Sequence, residues 1–307
     1  MKKDLRIVYM GTPEFAVPSL EILVKNGWNV VGVITAPDKP KGRGQKLIPS
    51  PVKEAAENLG LKVLQPTNLK SPEFQAELKA LNADLQIVVA FRMLPESVWD
   101  MPPIGTFNLH ASLLPDYRGA APINWAIING EKETGVTTFF LKHEIDTGSI
   151  IFQEKVAILP EDDLGSVYEK LMSKGAELVL KTVEAIAENK VIPLPQDESK
   201  AIHHAPKIFK ETGEIIWGNS AESIHNLVRG LSPYPAAWTS LDGKNCKVFK
   251  TSVAEGNLSN VEIGNYSSDG KTFLKFQTGD GVLEILELQL EGKKRMKIGD
   301  FLRGYNF

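Results

Sequence analysis

Two polar side chains lie two residues apart in the stretch Phe107–Gly119, the stretch of the chain that is richest in chemically useful groups. Asn108 and His110 would point to the same face of a β-strand, because side chains alternate between its two faces. An amide donor and an imidazole then converge at the end of a strand, where α/β sheets usually place their ligands. The alternative interpretation is a strand end whose two polar side chains are satisfied by the following turn.

A candidate carboxylate, Asp146, follows further along the chain, directly before Thr147 and Gly148. An aspartate in such a position is often only a turn residue, because its side chain bonds readily to nearby backbone groups. Taken alone, it therefore does not distinguish a turn from a catalytic carboxylate.

Together, these two segments resemble the folate-dependent formyltransferases. The resemblance is carried, in order and spacing, by Asn108, His110, the run Ser112-Leu113-Leu114-Pro115, Arg118-Gly119 and Asp146-Thr147-Gly148. In that family an asparagine, a histidine and an aspartate form the active site, which implies that Asn108, His110 and Asp146 are catalytic here. The resemblance also implies that Ser112, Leu113, Leu114 and Pro115 help to bind tetrahydrofolate.

The chemistry of formyl transfer agrees with these residue types. Transfer to an amine passes through a tetrahedral intermediate with negative charge on oxygen, and fixed donors stabilise such charge. Asn108 can supply one N–H and His110 a second, which is stronger when the imidazole is charged. The attacking amine must be neutral, so Asp146 could remove its proton, or it could instead orient His110 and favour its charged form. Neither route needs a metal or a covalent enzyme intermediate.

A second stretch supports the folate interpretation. Val88–Pro95 occupies the place of the family loop that wraps the pterin ring by backbone contacts. The resemblance therefore adds Phe91, Arg92 and Met93 to the predicted folate-binding residues, although the family often has glycine at the position of Arg92. Gly11–Ala16 resembles the family's opening segment. No Gly-x-Gly-x-x-Gly follows the first predicted strand, which excludes a nicotinamide dehydrogenase.

The elements that must position these groups alternate between strands and helices. The predicted strands are Leu5–Met10, Val30–Ile34, Lys62–Leu64, Leu85–Ala90, Thr106–Leu109, Gly135–Leu141 and Ile150–Val156. Helical patterns lie between them, and Asp163 is suited to cap a long helix with an apolar stripe. This alternation of strands and helices implies parallel crossovers. It therefore predicts an α/β catalytic domain with a Rossmann-like, mostly parallel sheet over residues 1–189.

A linker and a second domain are predicted after residue 189. Residues 190–207 contain three prolines and few apolar residues, which is typical of a linker. Residues 208–307 hold short strand-like runs separated by Gly and Asp/Asn turns, with one helix candidate, and predict a small OB-like β-barrel. The runs are Glu214–Trp217, Ala237–Ser240, Lys247–Thr251, Val261–Ile263, Thr272–Phe276 and Leu283–Gln289, and the helix is Ala221–Val228.

A basic segment bears on which amine receives the formyl group, since enzymes acting on a purine precursor or on amino sugars use a similar active site. Asp38–Lys53 carries Lys39, Lys41, Arg43 and Lys46 among glycines and prolines. It is either a loop that contacts a phosphate backbone or a solvated surface loop. Its Gly-Arg-Gly and Pro-Ser-Pro-Val-Lys pieces closely resemble the insertion with which methionyl-tRNA formyltransferases wedge into the acceptor stem, and imply tRNA contacts by Arg43 and these lysines.

The C-terminal domain gives a second indication of an RNA partner. The matching domain of methionyl-tRNA formyltransferases contacts tRNA, whereas the purine-pathway enzyme lacks it. From Ile208 onward there are 12 Lys plus Arg and 12 Asp plus Glu, so any RNA contact must be local. Lys293, Lys294 and Arg295 lie in a segment similar to the family's closing motif and would contact phosphates, unless they form only a solvated turn.

Composition limits the remaining possibilities. A net charge of −3 argues against an indiscriminate nucleic-acid binder. The lone cysteine, Cys246, permits no disulfide within the chain and fits a reducing compartment, and it is interpreted as a packing residue rather than a nucleophile. No apolar run is long enough to span a membrane, and the first residues do not form a signal peptide. These features predict a cytoplasmic protein.

The resemblance therefore implies an enzyme that transfers formyl from 10-formyltetrahydrofolate to the amino group of methionyl initiator tRNA. The sequence does not determine its oligomeric state, and we expect a monomer. One alternative is a formyltransferase acting on an amino sugar or another small amine. Another is a tRNA-binding protein that has lost catalysis, against which the presence of Asn108, His110 and Asp146 argues.

Overall fold

The computed structural model describes residues 4–41 and 46–305 of the chain. Its strands are Arg6–Gly11 (β1), Asn29–Ile34 (β2), Lys39–Lys41 (β3), Lys46–Ile48 (β4), Val63–Leu64 (β5), Leu85–Val89 (β6), Gly105–His110 (β7), Arg118–Gly119 (β8), Glu133–Phe140 (β9), Ile150–Ala157 (β10), His204–Ala205 (β11), Ala237–Leu241 (β12), Lys244–Ala254 (β13), Tyr266–Ser268 (β14), Leu274–Gln277 (β15), Val282–Leu290 (β16) and Met296–Lys297 (β17). Its α-helices are Val17–Lys25 (α1), Pro51–Asn58 (α2), Pro72–Ala80 (α3), Glu96–Trp99 (α4), Pro122–Ile128 (α5), Leu164–Ala187 (α6), Ala221–Leu231 (α7) and Ile298–Leu302 (α8). None of the helices in these described ranges is long and apolar enough to cross a membrane.

The chain divides into two units. The first contains the residues up to Gly119 together with Gly135–Val156 and Tyr168–His204. The second contains Ala120–Thr134, Ala157–Val167 and the residues from Ala205 onward. The domain boundaries at residues 189 and 208 stay a prediction.

A seven-stranded sheet with the order β10-β9-β7-β6-β1-β2-β5 forms the centre of the first unit. The pairs β1–β2, β1–β6, β2–β5 and β6–β7 are parallel, and β9 runs antiparallel to β7. All five residues of β6 are buried, as expected for an apolar strand covered on both faces. The prediction of an α/β unit with a mostly parallel sheet is confirmed, and the carboxyl ends of its parallel strands lie at one edge.

Sequence signals at helix starts correspond to caps in the structure. Ser50 and Ser71 accept hydrogen bonds from the backbone N–H of Lys53 and Phe74, with proline in the first turn of both helices. The Asp163 carboxylate accepts from the Ser166 N–H at 2.9 Å and caps α6 as predicted. These caps set where the helices that cover the sheet begin.

An antiparallel sheet with the order β12-β13-β16-β15-β14, extended by β17 on β16, forms most of the second unit. Helix α7 packs Ile224, Val228 and Leu231 into its apolar core. The prediction of a C-terminal β domain with one main helix is confirmed in this form.

Two of the predicted strands in this unit are wrong. In Glu214–Trp217 only Glu214 forms a β-bridge, with Trp238. Val261–Ile263 is followed by a turn at Gly264, whose φ of 86° reverses the chain, and the paired strand is β14 instead. The sequence patterns also missed helices α4, α5 and α8 and the antiparallel β3–β4 pair within the basic segment.

Residues 190–204, which we call the return segment, lie along the first unit. Leu194 exchanges two backbone hydrogen bonds with Ile150, the first residue of β10, at 2.8 and 2.9 Å. Further on, the carbonyl of His203 accepts from the Tyr117 N–H at 2.9 Å. A stretch whose composition is typical of a linker is thus hydrogen-bonded to two parts of the α/β unit.

Cys246 is expected to be unreactive in the folded protein. Its side chain is 2% exposed, and burial raises the pKa of the thiol to about 12. Because the thiolate is the nucleophile, a thiol reagent at about pH 8 should label Cys246 only after denaturation. Mass spectrometry of native and unfolded samples measures this, and labelling of the native protein at the rate of a free thiol would contradict it.

Candidate functional site

Strand β7 carries the first two candidate catalytic residues to the carboxyl edge of the sheet. Asn108 lies opposite Val88 of β6 and Phe139 of β9, and His110 lies opposite Thr137 of β9. Asn108 is half-buried and His110 is 7% exposed. Among the described residues the Asn108 amide has no hydrogen-bond partner, so its N–H groups are available to a bound oxygen.

The imidazole of His110 has one of its two nitrogens engaged. Its Nε2 lies 3.0 Å from the carbonyl oxygen of Tyr117. A carbonyl oxygen only accepts hydrogen bonds, so Nε2 must carry a proton. The other nitrogen, Nδ1, lies 3.8 Å from Oδ2 of Asp146. A charged imidazole would therefore direct its second N–H towards the Asp146 carboxylate.

Asp146 is both a turn residue and a member of the site. Its φ of 55° places it in the left-handed region, which non-glycine residues rarely adopt. Its Oδ2 accepts a hydrogen bond from the Gly119 N–H at 3.2 Å, and its side chain is 14% exposed. Glycine is required at position 148, because a Cβ there would lie 1.6 Å from the Phe140 carbonyl oxygen. The turn and the catalytic interpretations are thus compatible.

The segment Ser112–Pro115 is held by a side chain that the sequence patterns did not indicate. The Thr137 hydroxyl donates to the Ser112 carbonyl at 2.6 Å and accepts from the Leu114 N–H at 3.1 Å. Ser112 and Leu114 are buried, and Leu113 is half-buried. Pro115 follows Leu114 through a cis peptide bond. Folate binding by this segment stays a prediction, with Leu113 as its partly accessible side chain.

The candidate pterin loop follows β6. Ala90 adopts a φ of 46°, and Phe91 packs against the core beside β6. The Arg92 guanidinium donates to the carbonyls of Thr67, at 3.0 Å, and Pro66. The long side chain at the usual glycine position is thus directed onto the loop after β5. Met93 is 72% exposed and is the accessible apolar side chain of the three.

The predicted tRNA contacts lie in two segments. Lys39 is exposed, and Lys41 and Lys46 are paired residues of β3 and β4, whereas Arg43 lies outside the described residues. In the second unit, Lys293 and Lys294 are exposed in the turn after β16.

Arg295, beside those two lysines, is engaged within the protein. Its Nε and Nη2 donate to the Glu287 carboxylate at 2.9 and 2.8 Å, and its guanidinium lies 4.2 Å from the centre of the Phe249 ring. The three basic residues are therefore not equivalent, since one already has a carboxylate partner.

No three His, Cys, Asp or Glu side chains come together as a metal site within residues 4–41 and 46–305. The arrangement at the carboxyl edge of β7 is an amide donor, an imidazole and a carboxylate. Such a set can stabilise negative charge on an oxygen and accept a proton.

Comparison with known proteins agrees with this chemistry. The formyl transferase family matches residues 5–183, and its C-terminal domain matches residues 207–306. The sequence is 56% identical to the methionyl-tRNA formyltransferase of Parabacteroides distasonis, over 99% of this chain and 97% of that protein.

Solved structures resemble the fold at lower identity. The N-formyltransferase of Helicobacter canadensis, in complex with folinic acid and dTDP-3-aminofucose, has a TM-score of 0.69 and 23% identity, covering 94% of this chain and 99% of that one. HypX of Aquifex aeolicus, in complex with tetrahydrofolic acid, has a TM-score of 0.63 and 20% identity, covering 97% of this chain and 48% of that one. At these identities the likeness concerns the fold.

Proposed function

This chain belongs to the formyl transferase family and, within it, to the methionyl-tRNA formyltransferases, and from this we propose that it transfers formyl from 10-formyltetrahydrofolate to the amino group of methionyl initiator tRNA. The observation that carries the assignment to a site is the pair His110–Asp146, with Nδ1 and Oδ2 3.8 Å apart, together with the Asn108 amide, which has no hydrogen-bond partner among the described residues. The 56% identity over the full chain supports tRNA as the acceptor, whereas the sugar enzyme shares 23%. The product is N-formylmethionyl-tRNA for translation initiation in the cytoplasm.

The proposed roles follow from which atoms are free. Because Nε2 of His110 is held by Tyr117, Nδ1 is the ring nitrogen that can act on a substrate. Nδ1 of His110 lies 3.8 Å from the Asp146 carboxylate, which is too far for a hydrogen bond, so the Nδ1–H of a charged ring can donate to the formyl oxygen as it becomes negative. The Asn108 amide donates to the same oxygen. Asp146 can stabilise that positive ring and accept the proton that the attacking amine must lose. The folate supplies the activated formyl group, and the bond between the formyl carbon and the folate nitrogen breaks as that nitrogen takes up the proton lost by the amine.

The residues present fit a folate at this edge. Leu113 is partly accessible in the segment that follows β7, and Met93 offers an exposed apolar surface on the loop after β6. We assign Ser112–Pro115 and Phe91–Met93 to folate binding on this basis. The crystal structures with folinic acid and with tetrahydrofolic acid, which share this fold, support the same co-substrate class.

The function is tested by transfer of radiolabelled formyl from 10-formyltetrahydrofolate to methionyl initiator tRNA. Elongator methionyl-tRNA and free methionine serve as controls. We expect labelling of the initiator tRNA and little labelling of the two controls. Labelling of a nucleotide amino sugar, with none on either tRNA, would overturn the proposed acceptor and favour the sugar alternative.

The second unit is proposed to contact the tRNA backbone through Lys293 and Lys294. The double variant Lys293→Ala/Lys294→Ala should weaken tRNA binding, because each lysine is proposed to contact one phosphate. The slope of the logarithm of the binding constant against the logarithm of the salt concentration should become shallower by about 1 per lysine. Titrations of labelled tRNA at several salt concentrations measure both effects. Folate affinity should not change.

Lys244→Ala is the control for the loss of an exposed lysine elsewhere in the same unit, because Lys244 is the exposed first residue of β13. Arg295→Ala is expected to act differently, since it removes a positive charge and also leaves the Glu287 carboxylate without the two hydrogen bonds that Arg295 donates to it. If the loss of tRNA affinity per lysine removed is the same in the Lys244 variant and the double variant, the effect is one of general charge and the assignment is contradicted.

A further inference from the structure

Gln196, in the return segment, joins two loops that contain candidate active-site residues. Its Nε2 donates to the carbonyls of Asp146, at 2.7 Å, and Gly148, at 2.8 Å. Its Oε1 accepts from Nε and Nη2 of Arg118 at 3.1 and 2.5 Å. One amide therefore uses both of its ends, and both carbonyls that it holds belong to the turn of the candidate catalytic carboxylate.

The opposite end of the return segment supports His110, the partner of Asp146, through Asp116 and Tyr117. The Asp116 carboxylate accepts from the backbone N–H of Ile202 and His203, at 3.1 and 2.6 Å, and Oδ2 lies 3.0 Å from Nδ1 of His203. The His203 ring stacks on Tyr117 with centroids 5.0 Å apart. The carbonyl of Tyr117 is the group that holds His110. The same segment thus supports both sides of the His110–Asp146 pair.

We propose that Gln196 is a positioning residue for formyl transfer, which fixes the turn of Asp146 so that its carboxylate faces Nδ1 of His110. This inference rests on the proposed function. Asp146 adopts a backbone conformation that is rarely populated, and such conformations persist only where surrounding contacts hold them. Among the described residues, its side chain accepts one hydrogen bond, from the Gly119 N–H at 3.2 Å.

The residue type agrees with this role. A side-chain amide can donate two hydrogen bonds and accept two at once, which is the set used here. A carboxylate in the same place would still accept from Arg118, but it would turn an oxygen towards two carbonyl oxygens. Gln196→Glu therefore separates the two ends of the residue, because it keeps the anchor on Arg118 and removes the hold on the Asp146 turn.

Gln196→Glu is expected to lower kcat for formyl transfer by about 10²-fold, which is the cost of a displacement of about 1 Å in a reacting group. The KM values for folate and tRNA should remain within about threefold, because the change acts on the pair rather than on binding. Asp197→Asn is the matched control. Asp197 is the next residue of the segment and contacts Ser199 and Lys200 rather than either loop. Its variant should keep kcat.

A double-mutant cycle separates positioning from general support of the fold. If Gln196 acts through Asp146, Gln196→Glu should change the single-turnover rate by less than about twofold in an Asp146→Asn background. A full additional loss in that background, or a kcat within about twofold of wild type for Gln196→Glu alone, overturns the inference. Equal losses of kcat and thermal stability in the Gln196 and Asp197 variants overturn it as well.

The two levels of the proposal fail differently. A wild-type enzyme that labels no tRNA overturns the proposed function. An active wild type with an unaffected Gln196→Glu variant overturns the positioning role alone.

Discussion

Asp146→Asn is expected to lower kcat for formyl transfer by about 10²–10⁴-fold, the range for loss of a positioned acid–base group. Asparagine has the same shape and keeps an oxygen that can accept from the Gly119 N–H, so the turn should persist. It cannot carry the negative charge that faces Nδ1 of His110, nor accept the proton of the amine. Steady-state kinetics with saturating folate and initiator tRNA measure the effect.

Folding must be checked beside the rate. The free energy of unfolding should change by about 1 kcal/mol or less, because one hydrogen bond is altered at a half-buried site. Glu144→Gln is the matched control, since Glu144 is exposed in the same loop and its loss removes the same charge. A folded Asp146→Asn enzyme with a near-normal rate, or an equal loss in Glu144→Gln, would remove Asp146 from the mechanism.

The residue types of the candidate site could be recognised from the sequence, but their bonds could not. Asn108 and His110 share a strand, so their common face followed from its alternation. The state of the His110 ring depends on the carbonyl of Tyr117. Every residue has a carbonyl, so nothing in the identity of residue 117 signals that contact.

The contacts of Gln196 could not be predicted from the sequence for the same reason. It bonds to the carbonyls of Asp146 and Gly148, which would be present whatever residues stood there. Its partner Arg118 lies 78 positions away, so local spacing carries no information about the pair. A composition typical of a linker was the only available signal for the return segment, and it did not predict these bonds.

The fold was more predictable where strands are buried on both faces. β1 and β6 are largely apolar runs, and their order along the chain with intervening helices implied the sheet. Short elements were not predictable in this way. Pro122–Ile128 is an almost wholly apolar run of seven residues, too short to distinguish a helix from a strand by periodicity. Val261 and Ile263 have strand propensity, but the turn at Gly264 prevails over it.

Gly148→Ala is expected to impair the enzyme about as strongly as the loss of Asp146, by a steric route. The new Cβ would lie 1.6 Å from the Phe140 carbonyl oxygen, so the backbone of the turn has to move. That movement breaks the Gln196 bonds to both carbonyls and displaces the Asp146 carboxylate from His110. A shift of about 1 Å in a reacting group costs about 10²-fold in rate. Overpacking should lower the free energy of unfolding by about 1–3 kcal/mol.

Gly218→Ala is the control for a glycine-to-alanine change as such, because a Cβ at Gly218 meets nothing within 4 Å. Its stability should stay within about 0.5 kcal/mol of wild type and its rate should be normal. Kinetics and thermal unfolding of both variants distinguish two causes. If Gly148→Ala loses stability but keeps kcat in its folded fraction, the turn is only a structural element and its geometry does not set the reaction. If it loses kcat while most of the protein remains folded, the geometry of the turn at Gly148 sets the position of Asp146 relative to His110.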